Sequence, residues 1–379
     1  MIKVEKALAA AAALQPGAIV AVLNDKSSLL TAGYVDTEHS SKLKPDAIFR
    51  ISSMTKPITA FALIMLIEKL QIGLSDPVAR WLPELSNPNV LVDLNGDLDR
   101  TVRANREITV EDILTSRLGT GIVPAAPNST PIQREIERQQ LVGFGPPNPA
   151  TPMDQDEWIR RLGRLPLLAQ PGERWFYSVA SNVQGVLISR LAKMPLSKFL
   201  QEHIFEPLGM IDTGFYVRPE KLARLTPAYS SDLGLSDSQK DSAWSKPPAF
   251  EGGEGGLVST AADYMAFVRM LHAQGKTPRG QLVGKEWISR MFTDHLTRDQ
   301  RTDAAYFLDG RGWGYGVSVD AGRSSAEAMH GTIGWAGGLG SSWLSDLNNK
   351  KAVVVLCSRA LDDPEVYSSH QALQDVVLG

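Results

Sequence analysis

The chain has 379 residues, 43% of them hydrophobic and 21% charged, with a formal net charge of −3 and a single cysteine. This length is sufficient for one large domain or for two lobes with a substantial buried core. The slightly negative net charge excludes the basic surface of a nucleic-acid-binding protein. The single cysteine excludes a disulfide framework or a thiolate zinc site. The 6 histidines are scattered and lack the spacing of metal ligands.

The N-terminal residues 6–14 are apolar and rich in alanine, and Gln15-Pro16-Gly17 follows them directly. This composition favours a first helix over a secretory signal peptide, which has a basic start and a longer apolar core. The sequence contains no stretch of the roughly 18 to 20 apolar residues that a membrane-spanning helix requires. We therefore predict a cytoplasmic protein that does not associate with membranes.

The next segments have strand and then helix character. Residues 17–23 and 29–34 are apolar on either side of an Asn-Asp-Lys turn, which predicts a β-hairpin. Between Ser53 and Ile72, apolar residues occupy every side of a helix. Such a pattern is typical of a helix that is buried all round.

The centre of the chain is predicted to be mainly helical. Residues 109–112 have the spacing of a capping box, and Asp156 precedes a predicted helix that contains Trp158, Ile159 and Leu162. Residues 178–191 and 197–205 also have helical patterns. The proline-rich segment 143–152 is predicted to be irregular, forming either plain surface or the rim of a pocket.

The C-terminal third returns to strands. Thr260 is placed to cap a helix that closes at Gly275, and a final helix is predicted over residues 364–378. Strands are predicted at residues 313–319, 340–344 and 352–357.

This order of elements predicts an α+β fold with one interruption. Because β-segments lie at both ends of the chain and helices fill its centre, a single sheet built from both ends is the economical arrangement. We predict that residues 1–75 and 225–379 form one discontinuous α/β lobe. Residues 76–224 are then an inserted, mainly helical lobe.

Several common catalytic motifs are absent from the sequence. It has no GxSxG elbow, no Walker loop and no GxGxxG between a strand and a helix. The glycine-rich segments 252–256 and 310–316 do not have phosphate-binding spacing. We predict that they form turns and positions where the backbone approaches another element closely.

The candidate nucleophile is Ser53, in Ser53-Met-Thr-Lys56. A serine and a lysine three residues apart share one face of a helix, so a neutral, desolvated lysine could accept the serine proton. The spacing alone is weak evidence, because the polar segment 41–44 (Ser-Lys-Leu-Lys), which leads to Pro45, has the same spacing. Ser53 differs in context, since it follows a strand and opens the most apolar helix of the chain.

The sequence of residues 49–59, Phe-Arg-Ile-Ser-Ser-Met-Thr-Lys-Pro-Ile-Thr, resembles the nucleophile segment of serine β-lactamases and penicillin-recognising proteins. It is most similar to class C β-lactamases and family VIII carboxylesterases. The likeness continues in the same order through residues 108–115, 171–178, 207–213 and 255–263. The resemblance implies a β-lactamase/transpeptidase-like fold, in which helices flank an antiparallel sheet.

The resemblance also implies a second catalytic side chain, a tyrosine that shares proton transfer with the lysine. The matching residue is Tyr177, which follows a Pro-Gly turn and precedes a helix. From the residues alone, an amphipathic tyrosine with its hydroxyl satisfied would be the simpler interpretation. With the resemblance, Tyr177 is expected to act as a general base in acylation and as a general acid to the leaving group.

One departure from the family pattern concerns the substrate. Class C β-lactamases place an asparagine two residues after the tyrosine, and here that position is Val179. Asn182 lies three residues further along and is no obvious substitute. This difference favours an ester over a β-lactam.

The third element implied by the resemblance is a C-terminal strand that carries Lys-Thr-Gly in β-lactamases, a tripeptide that this chain lacks. Trp335 and Gly337 match the Trp-Gly-Gly of family VIII esterases, while a second alignment pairs residues 332–334 with the lactamase tripeptide. In either alignment, the backbone N–H of Gly338 is expected to join that of Ser53 in an oxyanion hole. His330 is expected to be a structural hydrogen-bonding residue.

Together, the residues and the resemblance predict a serine hydrolase. We expect a carboxylesterase that cleaves short-chain carboxylic esters through an acyl-Ser53 intermediate. Its partner is then a small-molecule ester substrate, and no metal or organic cofactor is needed. The alternatives of the same superfamily are a β-lactamase, a D-amino-acid peptidase and an acyltransferase. An alternative from another class is a non-catalytic acyl-binding sensor, which would keep the serine but release the acyl group negligibly.

Overall fold

The structure, a computed structural model, describes residues 2–25, 27–141, 147–321 and 331–379. His330 and the first residues of the proline-rich segment lie outside the described residues, so the expectation for His330 stays a prediction. The described part of the chain contains no helix that is long and apolar enough to cross a membrane.

A seven-stranded antiparallel sheet forms the centre of the α/β part. Its strands come from both ends of the sequence, in the spatial order β11-β12-β13-β14-β15-β1-β2. Their bounds are β1 Gly17–Leu23, β2 Ser28–Gly33, β11 Gly312–Trp313, β12 Ser318–Val319, β13 Thr332–Gly337, β14 Ser341–Asp346 and β15 Lys351–Cys357. The predicted hairpin at the N-terminus is therefore confirmed, because β1 and β2 pair directly.

The remaining strands described are short and form two-stranded pairs. They are β3 Phe49–Arg50 with β8 Val258–Ser259, β4 Asn89–Leu91 with β5 Thr101–Arg103, β6 Ala228–Tyr229 with β7 Leu235–Asp237, and β9 Lys276–Thr277 with β10 Gly280–Gln281. The pair β3–β8 joins the segment before Ser53 to the segment after the glycine-rich residues 252–256.

Helices occupy both faces of the sheet and the centre of the chain. The α-helices are α1 Ile2–Ala12, α2 Thr55–Leu70, α3 Val110–Leu114, α4 Pro131–Arg138, α5 Gln155–Leu162, α6 Val179–Ala192, α7 Leu196–Leu200, α8 Glu206–Leu208, α9 Ala261–His272, α10 Lys285–Met291, α11 Arg298–Asp303, α12 Ala305–Leu308 and α13 Pro364–Leu378. Turns of 3₁₀-helix are Ser52–Met54, Val78–Arg80, Pro83–Leu85, Pro219–Arg224 and Ala243–Ser245.

Both faces of the sheet are covered, which explains why β1 is apolar at every position. Alternate side chains of a strand point to opposite faces. Ile19 and Ala21 pack into the main core, whereas Val20 and Val22 pack into a second cluster beneath α1 and α13. An amphipathic strand would leave polar groups buried on one face.

The main core is continuous between the sheet side and the helical centre. It contains residues of α2, of the neighbouring helix α6 and of α9. Twelve of the side chains of α2 are buried, so the prediction of a helix that is buried all round is confirmed. The predicted domain boundaries at residues 75 and 225 stay a prediction.

Other local predictions hold with small changes. Thr109 and Asp112 form a capping box at the start of α3, and α13 has the predicted bounds. Residues 313–319 are not one strand: β11 and β12 pair with each other across a turn in which the N–H of Gly314 donates to the carbonyl of Val317.

Two helix predictions need correction. Asp156 lies inside the first turn of α5, and the cap is Asp154, whose carboxylate accepts the N–H of Glu157 at 2.8 Å. The segment predicted as a helix over residues 197–205 is α-helical only to Leu200 and continues as the π-helix Gln201–Phe205.

Helix α13 buries a histidine against the sheet, and this burial predicts a pH-dependent stability. His370 is 1% exposed, and burial lowers its pKa to about 3. Below the ordinary histidine pKa, the unfolded chain therefore binds a proton that the folded protein does not bind. We expect the free energy of unfolding to fall by about 2 kcal/mol between pH 7 and pH 5 from this residue alone.

Urea unfolding at both pH values measures this effect by comparison of variants. His370→Gln is expected to lose about 2 kcal/mol less than the wild type over that interval. His39→Asn is the control, because His39 is exposed. Equal pH dependence in the wild type and His370→Gln would contradict the expectation.

Candidate active site

Ser53 lies in the 3₁₀ turn Ser52–Met54, between β3 and the first turn of α2. Two buried hydroxyl groups hold this turn in place. The hydroxyl of Tyr264 donates to the carbonyl of Met54 at 3.1 Å, and that of Ser341 donates to the carbonyl of Ile51 at 2.8 Å. The turn is therefore fixed from α9 on one side and from β14 on the other.

The backbone is strained next to the predicted nucleophile Ser53 and next to Tyr177. Ser52, directly before Ser53, has φ 46°, and Ser178, directly after Tyr177, has φ 84° and ψ −66°. Such conformations of residues other than glycine cost about 1–3 kcal/mol each and occur preferentially at functional sites. The sequence alone did not reveal this strain.

Lys56 lies beside Ser53 as the spacing predicts. Its Nζ donates to Ser53 Oγ at 3.1 Å and to the carbonyl oxygen of Glu254 at 2.7 Å, and the lysine is 2% exposed. A buried lysine nitrogen requires such partners, because an unpaired one costs several kcal/mol of desolvation. The contact places a proton acceptor within hydrogen-bond reach of the serine hydroxyl.

The carbonyl of Glu254 reaches Lys56 because the glycine-rich segment packs very closely between two helices. A Cβ atom at Gly253 would lie 2.4 Å from the carbonyl oxygen of Ser181 in α6 and 3.0 Å from the side chain of Thr59 in α2. The prediction that residues 252–256 serve close backbone approach is confirmed. No side chain larger than hydrogen fits at Gly253 without displacing a helix.

Tyr177 is held against Lys56 by an aromatic cluster. Lys56 Nζ lies 4.4 Å from the centre of the Tyr177 ring, and the indole N–H of Trp335 donates to the Tyr177 hydroxyl at 3.0 Å. Phe307 stacks on the tyrosine with ring centres 4.6 Å apart. The structure thus brings together Ser53, Lys56, Tyr177 and Trp335, the last of which the sequence predicted only as a strand residue.

The end of β13 meets the nucleophile turn at Gly337. A Cβ atom there would lie 2.3 Å from the carbonyl oxygen of Ile51, whereas a Cβ atom at Gly338 would meet nothing within 4 Å. Gly338 and Ser53 line the same cavity. Gly334, by contrast, packs on the backbone of Trp343, so the geometry agrees with the alignment through Trp335 and Gly337.

Two cavities meet at Ser53 and Tyr177. The larger, of about 840 Å³, extends along Trp335, Gly338 and Leu339. The smaller, of about 440 Å³, lies on the Lys56 side. Its described wall includes residues 147–149 and 151–152 of the proline-rich segment, which therefore forms a pocket rim. Ser53 therefore has open space on two sides.

Three residues of the smaller cavity were missed by sequence reasoning: Ser178, Asn182 and Glu254. Ser178 Oγ donates to the Glu254 carboxylate, and the N–H of Glu254 donates to Asn182 Oδ1 at 3.1 Å. Asn182 is thus engaged in the protein itself. The available sequence signal was a single acidic residue inside a run of four glycines.

Other nucleophiles in the described residues are less suited to catalysis than Ser53. Burial raises the pKa of the Cys357 thiol to about 12, and a protonated thiol is a poor nucleophile. Ser342 Oγ and His370 Nδ1 are 2.8 Å apart, but the low pKa of His370 makes this imidazole a weak proton acceptor. No group of acidic, histidine or cysteine side chains among the described residues is placed to hold a metal ion.

Comparisons with known proteins identify the family of the chain. The profile of the family described as Beta-lactamase matches residues 4–377. An uncharacterised protein of Mycobacterium tuberculosis is 37% identical over 324 residues, covering 83% of this chain and 78% of the relative. Esterase EstB of Burkholderia gladioli is 28% identical over 350 residues, covering 87% of this chain and 82% of EstB.

A search of solved structures gives the same fold. The structure of EstCE1, described as a hydrolase with promiscuous acyltransferase activity, superposes with a TM-score of 0.81 at 24% identity and covers 100% of this chain and 98% of its own. The predicted β-lactamase/transpeptidase-like α+β fold and the resemblance to that superfamily are confirmed.

Gly337, the last residue of β13, and the adjacent Gly338 provide a test of the site geometry. Gly337→Ala is expected to push β13 away from the nucleophile turn, at an overpacking cost of about 1–3 kcal/mol in stability. The rate at which a fluorophosphonate probe labels Ser53 should fall roughly tenfold or more, because the reacting groups lose their alignment.

Gly338→Ala is the matched control, because a Cβ atom at Gly338 enters open space. Its unfolding free energy should stay close to that of the wild type. Thermal unfolding and intact-mass measurement of probe labelling report the two quantities. Equal stability of the two variants would contradict the close approach at Gly337.

Proposed function

Because the chain belongs to the beta-lactamase family of serine hydrolases, we propose that it is a carboxylesterase that cleaves short-chain carboxylic esters through an acyl-Ser53 intermediate. The observation that carries this proposal is the contact network at the nucleophile. Lys56 Nζ contacts Ser53 Oγ, and Tyr177 lies against the lysine with its hydroxyl held by Trp335. The similarity to esterase EstB supports it.

In the proposed acylation step, Ser53 Oγ attacks the ester carbonyl and its proton passes to Lys56. The backbone N–H groups of Ser53 and Gly338 stabilise the resulting oxyanion, and each donor of this kind is typically worth about 3–4 kcal/mol. The tetrahedral intermediate then collapses: the bond to the alcohol oxygen breaks, and Tyr177 supplies the proton with which the alcohol leaves.

In the deacylation step, water attacks the acyl-Ser53 ester. Tyr177, left as a phenolate by the acylation step, removes a proton from the water. The bond to Ser53 Oγ then breaks, Lys56 returns its proton to the serine, and the carboxylic acid departs. No metal or organic cofactor takes part in this scheme. The substrate is a small neutral ester, and neither a nucleic acid nor a membrane is required.

A β-lactamase or D-amino-acid peptidase is a weaker alternative. Those enzymes hold a substrate carboxylate or amide, and the corresponding lysine and asparagine are absent here. Val179 is buried, and Asn182 accepts the N–H of Glu254. In the larger cavity, Arg311 donates to Ser318 and to Thr332, so its guanidinium is already engaged.

An acyltransferase is the second candidate function, and EstCE1, whose structure is similar, is described as a hydrolase with promiscuous acyltransferase activity. It shares the acyl-Ser53 intermediate and differs only in the nucleophile that attacks it. An acyl-binding sensor would instead stop at the acyl-enzyme. Intact-mass measurement after a pulse of ester distinguishes a lasting adduct from turnover.

Removal of the nucleophile is the first test. Ser53→Ala should lower turnover of p-nitrophenyl acetate and butyrate by at least about 10³-fold, because Ser53 is the one hydroxyl among the described residues that accepts a hydrogen bond from Lys56. Ser41→Ala is a matched control, since Ser41 and Lys44 have the same spacing in an exposed segment. Wild-type rates in Ser53→Ala would refute the assignment.

Substrate choice is the second test. We expect kcat/KM for p-nitrophenyl butyrate to exceed that for nitrocefin by about 10²-fold or more, because the groups that hold a lactam carboxylate are missing. A series of p-nitrophenyl esters with longer acyl chains measures the preferred length. Comparable kcat/KM for nitrocefin would favour the β-lactamase, and preference for long chains would remove the short-chain assignment.

A further inference from the structure

Glu254 is an acidic residue at the catalytic lysine that the proposed mechanism does not use. Its carbonyl oxygen accepts Lys56 Nζ at 2.7 Å, its N–H donates to Asn182, and its carboxylate accepts the hydroxyl of Ser178. Glu254 thus contacts the lysine that is paired with Ser53 and the serine that directly follows Tyr177. The side chain is therefore fixed beside the proton-transfer groups and lines the smaller cavity.

The charge of this carboxyl group is coupled to Lys56. Removal from water raises the pKa of Glu254 above its ordinary value, and the positive charge of Lys56 and a hydrogen bond with Asn182 offset only part of that rise. The other titratable side chains among the described residues that line the cavity are Tyr177, which lies against Lys56, and Glu137 of α4. Glu137 is exposed, so its charge is screened by solvent.

A carboxylate at this position has a defined electrostatic effect on the reaction. When Ser53 is acylated, its proton moves to the lysine, and an ammonium ion forms in a poorly solvated site. A nearby negative charge stabilises that ion and strengthens the lysine as a base. The same charge also keeps Lys56 of the free enzyme protonated up to a higher pH. A protonated lysine cannot accept the serine proton.

We propose that Glu254 is a positioning residue that controls the protonation of Lys56 during acylation of Ser53. The proposal rests on the proposed function in taking Lys56 as the base. It predicts two coupled consequences of removing the charge. The acid limb of the pH–rate profile moves to lower pH, and the plateau rate falls because the ammonium ion has lost its counter-charge.

A merely structural role would give a different result. Glu254 accepts the hydroxyl of Ser178, whose strained backbone adjoins Tyr177. If the carboxylate served only to hold Ser178, its replacement would lower the rate equally at every pH. The position of the acid limb therefore separates control of proton transfer from structural support.

The experiment compares Glu254→Gln, which removes the charge and keeps an oxygen acceptor, with Glu254→Asp, which keeps the charge. Glu254→Ala is a second neutral variant in case the amide disturbs folding. The matched control is Glu251→Gln, in the same segment, because the Glu251 carboxylate accepts the N–H of Ser197 and does not line the cavity. Thermal unfolding checks that each variant is folded.

The primary measurement is the second-order rate at which a fluorophosphonate labels Ser53 between pH 5 and pH 10. In this reaction Ser53 Oγ displaces fluoride from phosphorus and its proton passes to the base, so no turnover is needed. kcat/KM for p-nitrophenyl butyrate is measured over the same range. Labelling of Ser53 without ester turnover would refute the proposed esterase function. The pH profile of labelling would still test the proposed role of Glu254.

The expected result is a shift of the acid limb by about one pH unit to lower pH in both neutral variants, with a plateau reduced roughly tenfold. Glu254→Asp should stay within a few tenths of a unit of the wild type, and Glu251→Gln should match it. An unshifted limb in the neutral variants, or a shift to higher pH, would overturn the role of Glu254. Absence of Ser53 labelling in the wild type would overturn both proposals.

Discussion

The burial of the Lys56 amine is the constraint on which the rest of the site depends. A lysine nitrogen can be removed from water only where oxygen atoms replace the solvent. Here Ser53 Oγ and the carbonyl of Glu254 do so, and the Tyr177 ring covers the remaining side. Three separate parts of the chain must therefore meet at one nitrogen, and the fold is arranged so that they do.

The close contacts that bring these parts together also explain the strain around them. Gly253 fits between α2 and α6, and Gly337 fits against the nucleophile turn, with no room for a side chain at either position. Ser52 and Ser178 adopt unfavourable backbone conformations beside Ser53 and Tyr177. The continuous core beneath α2, α6 and α9 stabilises the fold enough to maintain them.

Under the proposed function, the walls of the site suit a neutral acyl substrate better than a charged one. Two cavities share Ser53 and Tyr177, which gives space on both sides of an ester bond. The ionisable side chains beside the nucleophile, Lys56 and Glu254, form hydrogen bonds within the protein and interact electrostatically with each other. Recognition of the proposed ester would then depend on the shape of the cavities and on the backbone N–H groups of Ser53 and Gly338.

The sequence by itself determined the local elements and the nucleophile segment. The hairpin, the buried helix α2 and helix α13 follow from apolar periodicity, and Ser53 with Lys56 follows from spacing on one helix face, because both depend on neighbours only a few residues apart. Only the tertiary structure decided the contact of Lys56 with Glu254, 198 residues away, and that of Trp335 with Tyr177, 158 residues away. Such contacts depend on how helices and strands pack, and a single sequence does not record which distant side chains share a cavity.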